Sequence, residues 1–231
     1  MLELLQSYDR EAMVLLNMGE QHSAGSDFFF WMVSQILIWS PIFLLFIYTI
    51  VKSKRKEAFL IIGTVILLFV LCDQITSSIL KPLIARPRPS HDSITEPLLQ
   101  YVYNYKGGAF GFPSSHASNS FGFAVFSSLL LRYKPYTCCS LCWALICAYS
   151  RIYLGVHFPG DIIVGTLLGI CIAFLCYWIY QKCLVKFHIN SIVYSGHEYT
   201  STGYKKTNIQ LIIFSLLLII FTLFCGGLQI R

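Results

Sequence analysis

Charge is scarce in this chain. Asp, Glu, Lys and Arg make up 12% of its 231 residues, about half the roughly 25% of an ordinary soluble domain. Hydrophobic residues are 56% and the mean hydropathy is +0.64. A soluble fold of this length is excluded, because too few polar side chains exist to cover its surface. The excess of 17 basic over 11 acidic residues lies mostly in short loops between apolar runs, so it is no nucleic-acid signal. Those runs are long enough to cross a bilayer, which takes about 20 residues per helix.

Other absences narrow the reading further. Of nine cysteines, Cys72, Cys147, Cys171, Cys176 and Cys225 fall within apolar runs. Cys138, Cys139, Cys142 and Cys183 sit at or near run ends, and none lies in the polar loop from Ser90 to Pro113. An odd number buried in helices argues for packing thiols, not for bridges or a metal site. A basic start before an apolar core is also missing, and acids recur at Glu3, Asp9, Glu11 and Glu20, which does not fit a signal peptide. Residues 1–26 instead carry Leu4, Tyr8, Ala12 and Leu15, flanked by Leu5 and Leu16, as one apolar stripe at helical spacing. An amphipathic helix at the membrane surface is expected there, with packing against the spans as the alternative. There is no internal repeat and no low-complexity segment.

The expected architecture is all-α, a single membrane domain over residues 1–231 with six transmembrane helices. The uncharged run Phe28 to Val51 is interrupted only by Pro41, which a membrane helix tolerates. Further runs cover Ala58 to Leu80, Ser114 to Leu131, Tyr136 to about Ser150, Ile162 to Tyr180 and Ile209 to Leu228. Spans one to five with their motifs occupy 28–183, and the sixth 209–228. Loops one, three and five hold ten basic residues, while loops two and four with both termini hold seven. Cytoplasmic loops are enriched in Lys and Arg, so loops two and four are expected to face outward, to the periplasm or its equivalent. The expected location is therefore the inner cell membrane.

Polar residues fit for chemistry gather in three places, which this topology puts on one side of the membrane. They are Lys81 to Pro89, with Arg86 and Arg88; Phe112 to His116; and Ser150-Arg151 with His157 and Asp161. Lys81, Arg86, Arg88 and Arg151 face one acid of note, Asp161. Such an excess of fixed cations implies an anionic ligand, and arginine forks suit phosphate oxygens. Ser114, Ser115 and His116 follow a proline and open a helix, whose free N–H groups are a natural anion site. Ser114 as a mere N-cap is the plainer reading. Asp161 is either an N-cap for span five or, four residues after His157, the acceptor that fixes its tautomer and frees the other nitrogen to attack. Two histidines flanking a cationic cradle suggest phosphoryl transfer, one as nucleophile and one as general acid.

Lys81 with Arg88-Pro89, Pro113-Ser114-Ser115-His116, and Ser150-Arg151 followed by His157 and Asp161 together resemble the three motifs of the type 2 phosphatidic acid phosphatase superfamily. The resemblance spans about Lys81 to Asp161, and the six-span layout extends it across most of the chain. One departure is Ser115, where the family usually has glycine. The resemblance implies a metal-free, cofactor-free mechanism. His157 would attack phosphorus, oriented by Asp161, and His116 would protonate the leaving oxygen and then help water attack. Lys81, Arg88, Ser114, Ser115 and Arg151 would hold the phosphoryl oxygens, with Arg86 a supporting charge. Implied substrates are phosphorylated lipids embedded among the membrane lipids: undecaprenyl diphosphate, phosphatidylglycerophosphate, phosphatidic acid or the phosphates of lipid A. A soluble sugar phosphate is a further option.

Residues outside the motifs say less. Asp73, an intramembrane acid two turns before Lys81, either supports the cradle from below or is hydrogen-bonded for structure. Gly165 and Gly169 form a small-xxx-small pair for helix packing. Tyr101, Tyr103, Tyr105, Phe110 and Phe112 read as an interfacial aromatic belt, ahead of a substrate lid hinged at Gly107-Gly108. The rival class is a transporter or binding protein for phosphorylated compounds. It is disfavoured because the basic residues sit at one membrane face and not at the midplane.

Overall fold

The computed structural model describes residues 2–17, 19–187, 189 and 196–230. Nine α-helices carry the fold among them, with no strand and two isolated bridges. They are α1 (Leu2–Asn17), α2 (Ala24–Val33), α3 (Ser40–Ser53), α4 (Ala58–Asp73), α5 (Lys81–Ile84), α6 (Ser115–Leu131), α7 (Lys134–Tyr153), α8 (Pro159–Lys186) and α9 (Lys206–Gln229). A π-helical segment, Gln74–Leu80, joins α4 to α5. Four stretches are long and apolar enough to cross a membrane: Ile36–Ser53, Ala58–Ile84, Pro159–Lys186 and Lys206–Gln229. The runs expected as spans three and four form α6 and α7, which fall short of that measure.

The uncharged run from Phe28 to Val51 is not one helix. It breaks at Ser34-Gln35, where Gln35 is extended, and not at Pro41, which starts α3 within its first turn. The Trp39 indole donates 2.9 Å to the Val33 carbonyl, and the Ser34 hydroxyl donates 2.7 Å to the Trp31 carbonyl. These side chains satisfy α2's last carbonyls, the groups a helix end otherwise leaves open, so the break costs little even among apolar neighbours.

Helix α6 is the centre of the bundle. Eleven of its 17 residues are buried, and the buried hydroxyls of Ser120 and Ser127 are satisfied by carbonyls one turn back. This is how a serine-rich helix survives in an apolar interior. Gly165 and Gly169 let α8 lie against it. A Cβ at either would collide with the carbonyl oxygens of Ser114 and Ser118 respectively. That packing brings the start of α6 beside the start of α8, where the Ser114 N–H donates 3.0 Å to the Asp161 carbonyl.

Helix α1 turns its apolar stripe away from the protein. Leu4, Leu5, Tyr8 and Leu15 are exposed, Leu15 to 76%, whereas Met13 and Asn17 are buried. The Asn17 amide donates to the carbonyls of Tyr153 (2.8 Å), Ile152 and Gln100, and Arg10 forms a two-pronged pair with Asp92 at 3.0 Å. The polar side of α1 therefore docks, and the packing alternative for the stripe does not hold. All nine cysteines are free thiols. Cys139 and Cys142 stand at C-x-x-C spacing on α7.

Gly169→Ala should lower the thermal midpoint in mild detergent by the equivalent of about 1–3 kcal/mol, since the overpacking falls on backbone. Gly63→Ala, with nothing within 4 Å of the added methyl, should not. Equal effects would mean that the α6–α8 approach carries no special weight.

Candidate active site

Four helix ends and one loop meet at a single end of the bundle: α5 supplies Lys81, the start of α6 supplies Ser115 and His116, the end of α7 supplies Arg151, and α8 opens with Asp161. The loop between α5 and α6 supplies Arg86 and Arg88, and His157 precedes α8.

His157 is the centre. It is 1% exposed. Its Nδ1 lies 3.3 Å from Asp161 Oδ2 and its Nε2 lies 3.1 Å from Arg88 Nη1. A guanidinium only donates, so Nε2 is the acceptor and Nδ1 carries the proton; the tautomer follows from these partners. Burial holds the imidazole well below the usual histidine range, with Arg88, Arg151 and Lys81 pushing the same way and a hydrogen bond to the Gly111 backbone opposing. The ring is neutral at pH 7, with its lone pair on the side of the cradle.

The two arginines of the first motif differ sharply. Arg86 is paired with two carboxylates: it donates 2.9 Å to Asp161 Oδ1 and 2.6 Å to Asp9 Oδ2, and it stacks 4.3 Å over the Phe158 ring. Arg88, 9% exposed, has no carboxylate partner among the described residues. Its Nη1 also donates 3.0 Å to the Val156 carbonyl, and its Nε is buried without a partner, as is the Nε of Arg151. Two buried cations with unused donors at one end of the bundle are what an oxyanion requires.

Ser114 does cap α6, accepting from the Ala117 N–H at 3.4 Å. Its own N–H is taken by Asp161, so the donors left open at the start of this helix are those of Ser115 and His116. The Ser115 hydroxyl is 2.9 Å from each of Lys81 Nζ, Thr76 Oγ1 and Ser77 Oγ. This serine holds Lys81 in place. Ser77 in turn donates 3.1 Å to Asp73 Oδ1, which links Asp73 to the cradle. Asp161 is not the N-cap of α8. Phe158 occupies that position, and Asp161, three residues on, accepts its N–H at 3.1 Å. The carboxylate thus reaches back to both the cap and His157. Among the described residues no group of three or more His, Cys, Asp or Glu could hold a metal ion.

The PAP2 superfamily model matches residues 58–184. The chain belongs to the type 2 phosphatidic acid phosphatase (PAP2) superfamily. It is 34% identical over 232 aligned residues to the lipid A 4'-phosphatase of Porphyromonas gingivalis, covering 99% of this chain and 95% of that one. It is 32% identical to the lipid A 4'-phosphatase of Bacteroides thetaiotaomicron, covering 91% and 92%. A PAP2-type phosphatidylglycerolphosphate phosphatase from Bacillus subtilis superposes with a TM-score of 0.61 over 78% of this chain and 87% of that one, at 20% identity, which shows the shared fold.

Two participants lie outside the three motifs. Asp9 of α1 binds Arg86 and also accepts the Gly160 N–H at 2.7 Å, so a helix far away in sequence braces this PAP2 site. Tyr105 stacks edge-on against Trp31 at 5.5 Å and places its ring 6.0 Å from the Arg151 guanidinium. At least this member of the expected aromatic belt therefore touches the cradle. Gly107 lies over the Arg88 guanidinium, and Gly111 leaves no room for a Cβ beside Asp161.

Asp9→Asn should lower kcat in a phosphate-release assay by about ten- to a hundredfold, the size of effect a small misplacement produces, with KM within about twofold. Asp9→Glu should recover part of the loss. A rise in KM alone would assign Asp9 to binding.

Proposed function

We propose that this chain is a membrane phosphatase that hydrolyses a phosphate on a lipid, with a lipid A phosphate as substrate, through a phosphohistidine intermediate. The observation that carries the reading is the neutral His157 Nε2 beside the unused N–H groups of Arg88 and Arg151. On substrate binding the Arg88 donors turn from Nε2 to the phosphoryl oxygens, which Lys81, Arg151 and the N–H groups of Ser115 and His116 also hold. Nε2 attacks phosphorus as the ester P–O bond breaks, and His116, which takes up a proton with the anionic substrate, gives it to the departing oxygen. Asp161 stabilises the cationic His157 ring. Water then attacks the phosphohistidine while His116 takes back a proton, releasing phosphate. The choice of lipid A rests on the two relatives that match nearly the whole chain and are named for it.

In this reading α6 and α7 complete six spans, and the stripe of α1 lies in the outer headgroup layer. The ends of α5 to α8 that carry the site share one side whether α6 and α7 count as two spans or as an inserted hairpin. The loop charges orient that side outward in the inner membrane.

A single cysteine at Ser93 in a cysteine-free variant should react with an impermeant maleimide in intact spheroplasts, and one at Ser53 should not. The reverse pattern would put the site in the cytoplasm.

The histidines should fail differently, and activity should persist in EDTA. His157→Ala should trap no acid-labile phosphate from any substrate. His116→Ala should lose about 10² to 10⁴ in rate on lipid, yet still give a single-turnover burst with nitrophenyl phosphate, whose leaving group needs little protonation. A burst from the His157 variant alone would swap the roles. Activity lost to EDTA and restored by a divalent cation would overturn the metal-free chemistry.

A further inference from the structure

Beside His116 a groove of about 330 Å³ runs between the break after α2 and the faces of α4, α6 and α7. Its lining includes Ser34, Gln35, Asp73, His116, Asn119 and Trp143, but not His157. Displacement at phosphorus places the attacking and leaving atoms on opposite sides. With His157 attacking from the Arg88 side, the leaving oxygen departs on the His116 side, into this groove.

The groove is mostly apolar, with Val33, Ile36, Phe43 and Phe69 in its lining, but it also carries polar groups that a bare hydrocarbon would not meet. Asp73 is exposed in the apolar stretch Ala58–Ile84. Its Oδ1 accepts from Ser77, and it forms no ion pair with any described residue. An acid at this depth needs a reason. Asn119 Oδ1 and Trp143 Nε1, an acceptor and a donor, are both buried without partners among the described residues. Such groups are costly unless something meets them. A prenyl or acyl chain would leave Asn119 and Trp143 unmet, whereas hydroxyl and amide groups would meet them.

The position of Asp73 adds a charge criterion. Two hydrogen bonds, of 3.1 and 2.9 Å, separate its carboxylate from the Ser115 hydroxyl, so a negative charge stands on the leaving side of the site. When a phosphate monoester is cleaved, the N–P bond forms, the ester P–O bond breaks and the proton from His116 makes the departing group a neutral alcohol. When a diphosphate is cleaved, the departing group is a phosphate anion that must sit beside Asp73 in a poorly screened environment.

We propose that this groove is the leaving-group subsite, that it takes an uncharged alcohol bearing hydroxyl or amide groups, such as an acylated sugar, and that it rejects a leaving group that is itself a phosphate. The proposal rests on the histidine roles and the lipid phosphatase reading given above.

The test compares kcat/KM for lipid A and for farnesyl diphosphate in purified wild type, Asp73→Asn and Asp73→Glu, with nitrophenyl phosphate as a small reference substrate. Wild type should prefer lipid A. Asp73→Asn should shift the ratio toward the diphosphate at least tenfold, and Asp73→Glu should hold it near the wild-type value. Independently of Asp73, Asn119→Leu and Trp143→Phe should each cut kcat/KM for lipid A at least fivefold more than for nitrophenyl phosphate. A wild type that cleaves the diphosphate but not lipid A overturns the substrate reading itself. A wild type active on lipid A, with a ratio unmoved by Asp73→Asn and equal losses on both esters in the Asn119 and Trp143 variants, overturns the subsite alone. Asp73 would then only balance Lys81.

Discussion

The glycine contact between α6 and α8 is the constraint on which the site depends. Gly165 and Gly169 let two helix backbones touch at Ser114 and Ser118. Only at that separation does the Ser114 N–H reach the Asp161 carbonyl. The backbone bond registers the second motif against the third, so that His116 and His157 come near one another though they stand 41 residues apart. In a bilayer, where burial gives helices little reason to associate, such close packing carries the association itself.

Around that contact the cations fall into two groups. Arg86 is consumed by Asp9 and Asp161 and works as a rivet, whereas Lys81, Arg88 and Arg151 have no carboxylate partner among the described residues. Lys81 is held by the Ser115 hydroxyl, and Arg88 by a carbonyl and an imidazole nitrogen. All three holders are neutral, so the positive charge stays uncompensated until an anion arrives. The cradle is preorganised in position and unsatisfied in charge, the condition under which charge stabilisation needs no rearrangement in the transition state.

Most of the centre was readable from the chain because charged residues are few. In a sequence this apolar, Lys81, Arg88, Arg151 and Asp161 stand out, and all but Arg88 sit where a hydrophobic run starts or stops. Pairing His157 with Asp161 needed only helical arithmetic. What escaped had no local signature. Asp9 meets Arg86 across 77 positions, and nothing near Asp9 marks it among the acids of α1. The break at Ser34-Gln35 is silent in hydropathy, because it is made tolerable by one indole reaching back to one carbonyl. The outward stripe of α1 was visible as a stripe, but its direction depended on what Asp9, Arg10 and Asn17 bind on the other side.

That inverted helix makes the enzyme vulnerable in a particular way. Helix α1 is fastened to the bundle mainly by a handful of polar bonds, through Asp9, Arg10 and Asn17, while its oily side faces the surroundings. A solubilising agent that competes for the oily side, or a salt that weakens the ion pairs, can peel α1 away while α6 and α8 stay locked. The protein would then remain folded by every spectroscopic measure and yet be inactive. Retained structure after extraction is therefore a poor guide to retained function here, and the choice of detergent becomes a choice about the candidate site.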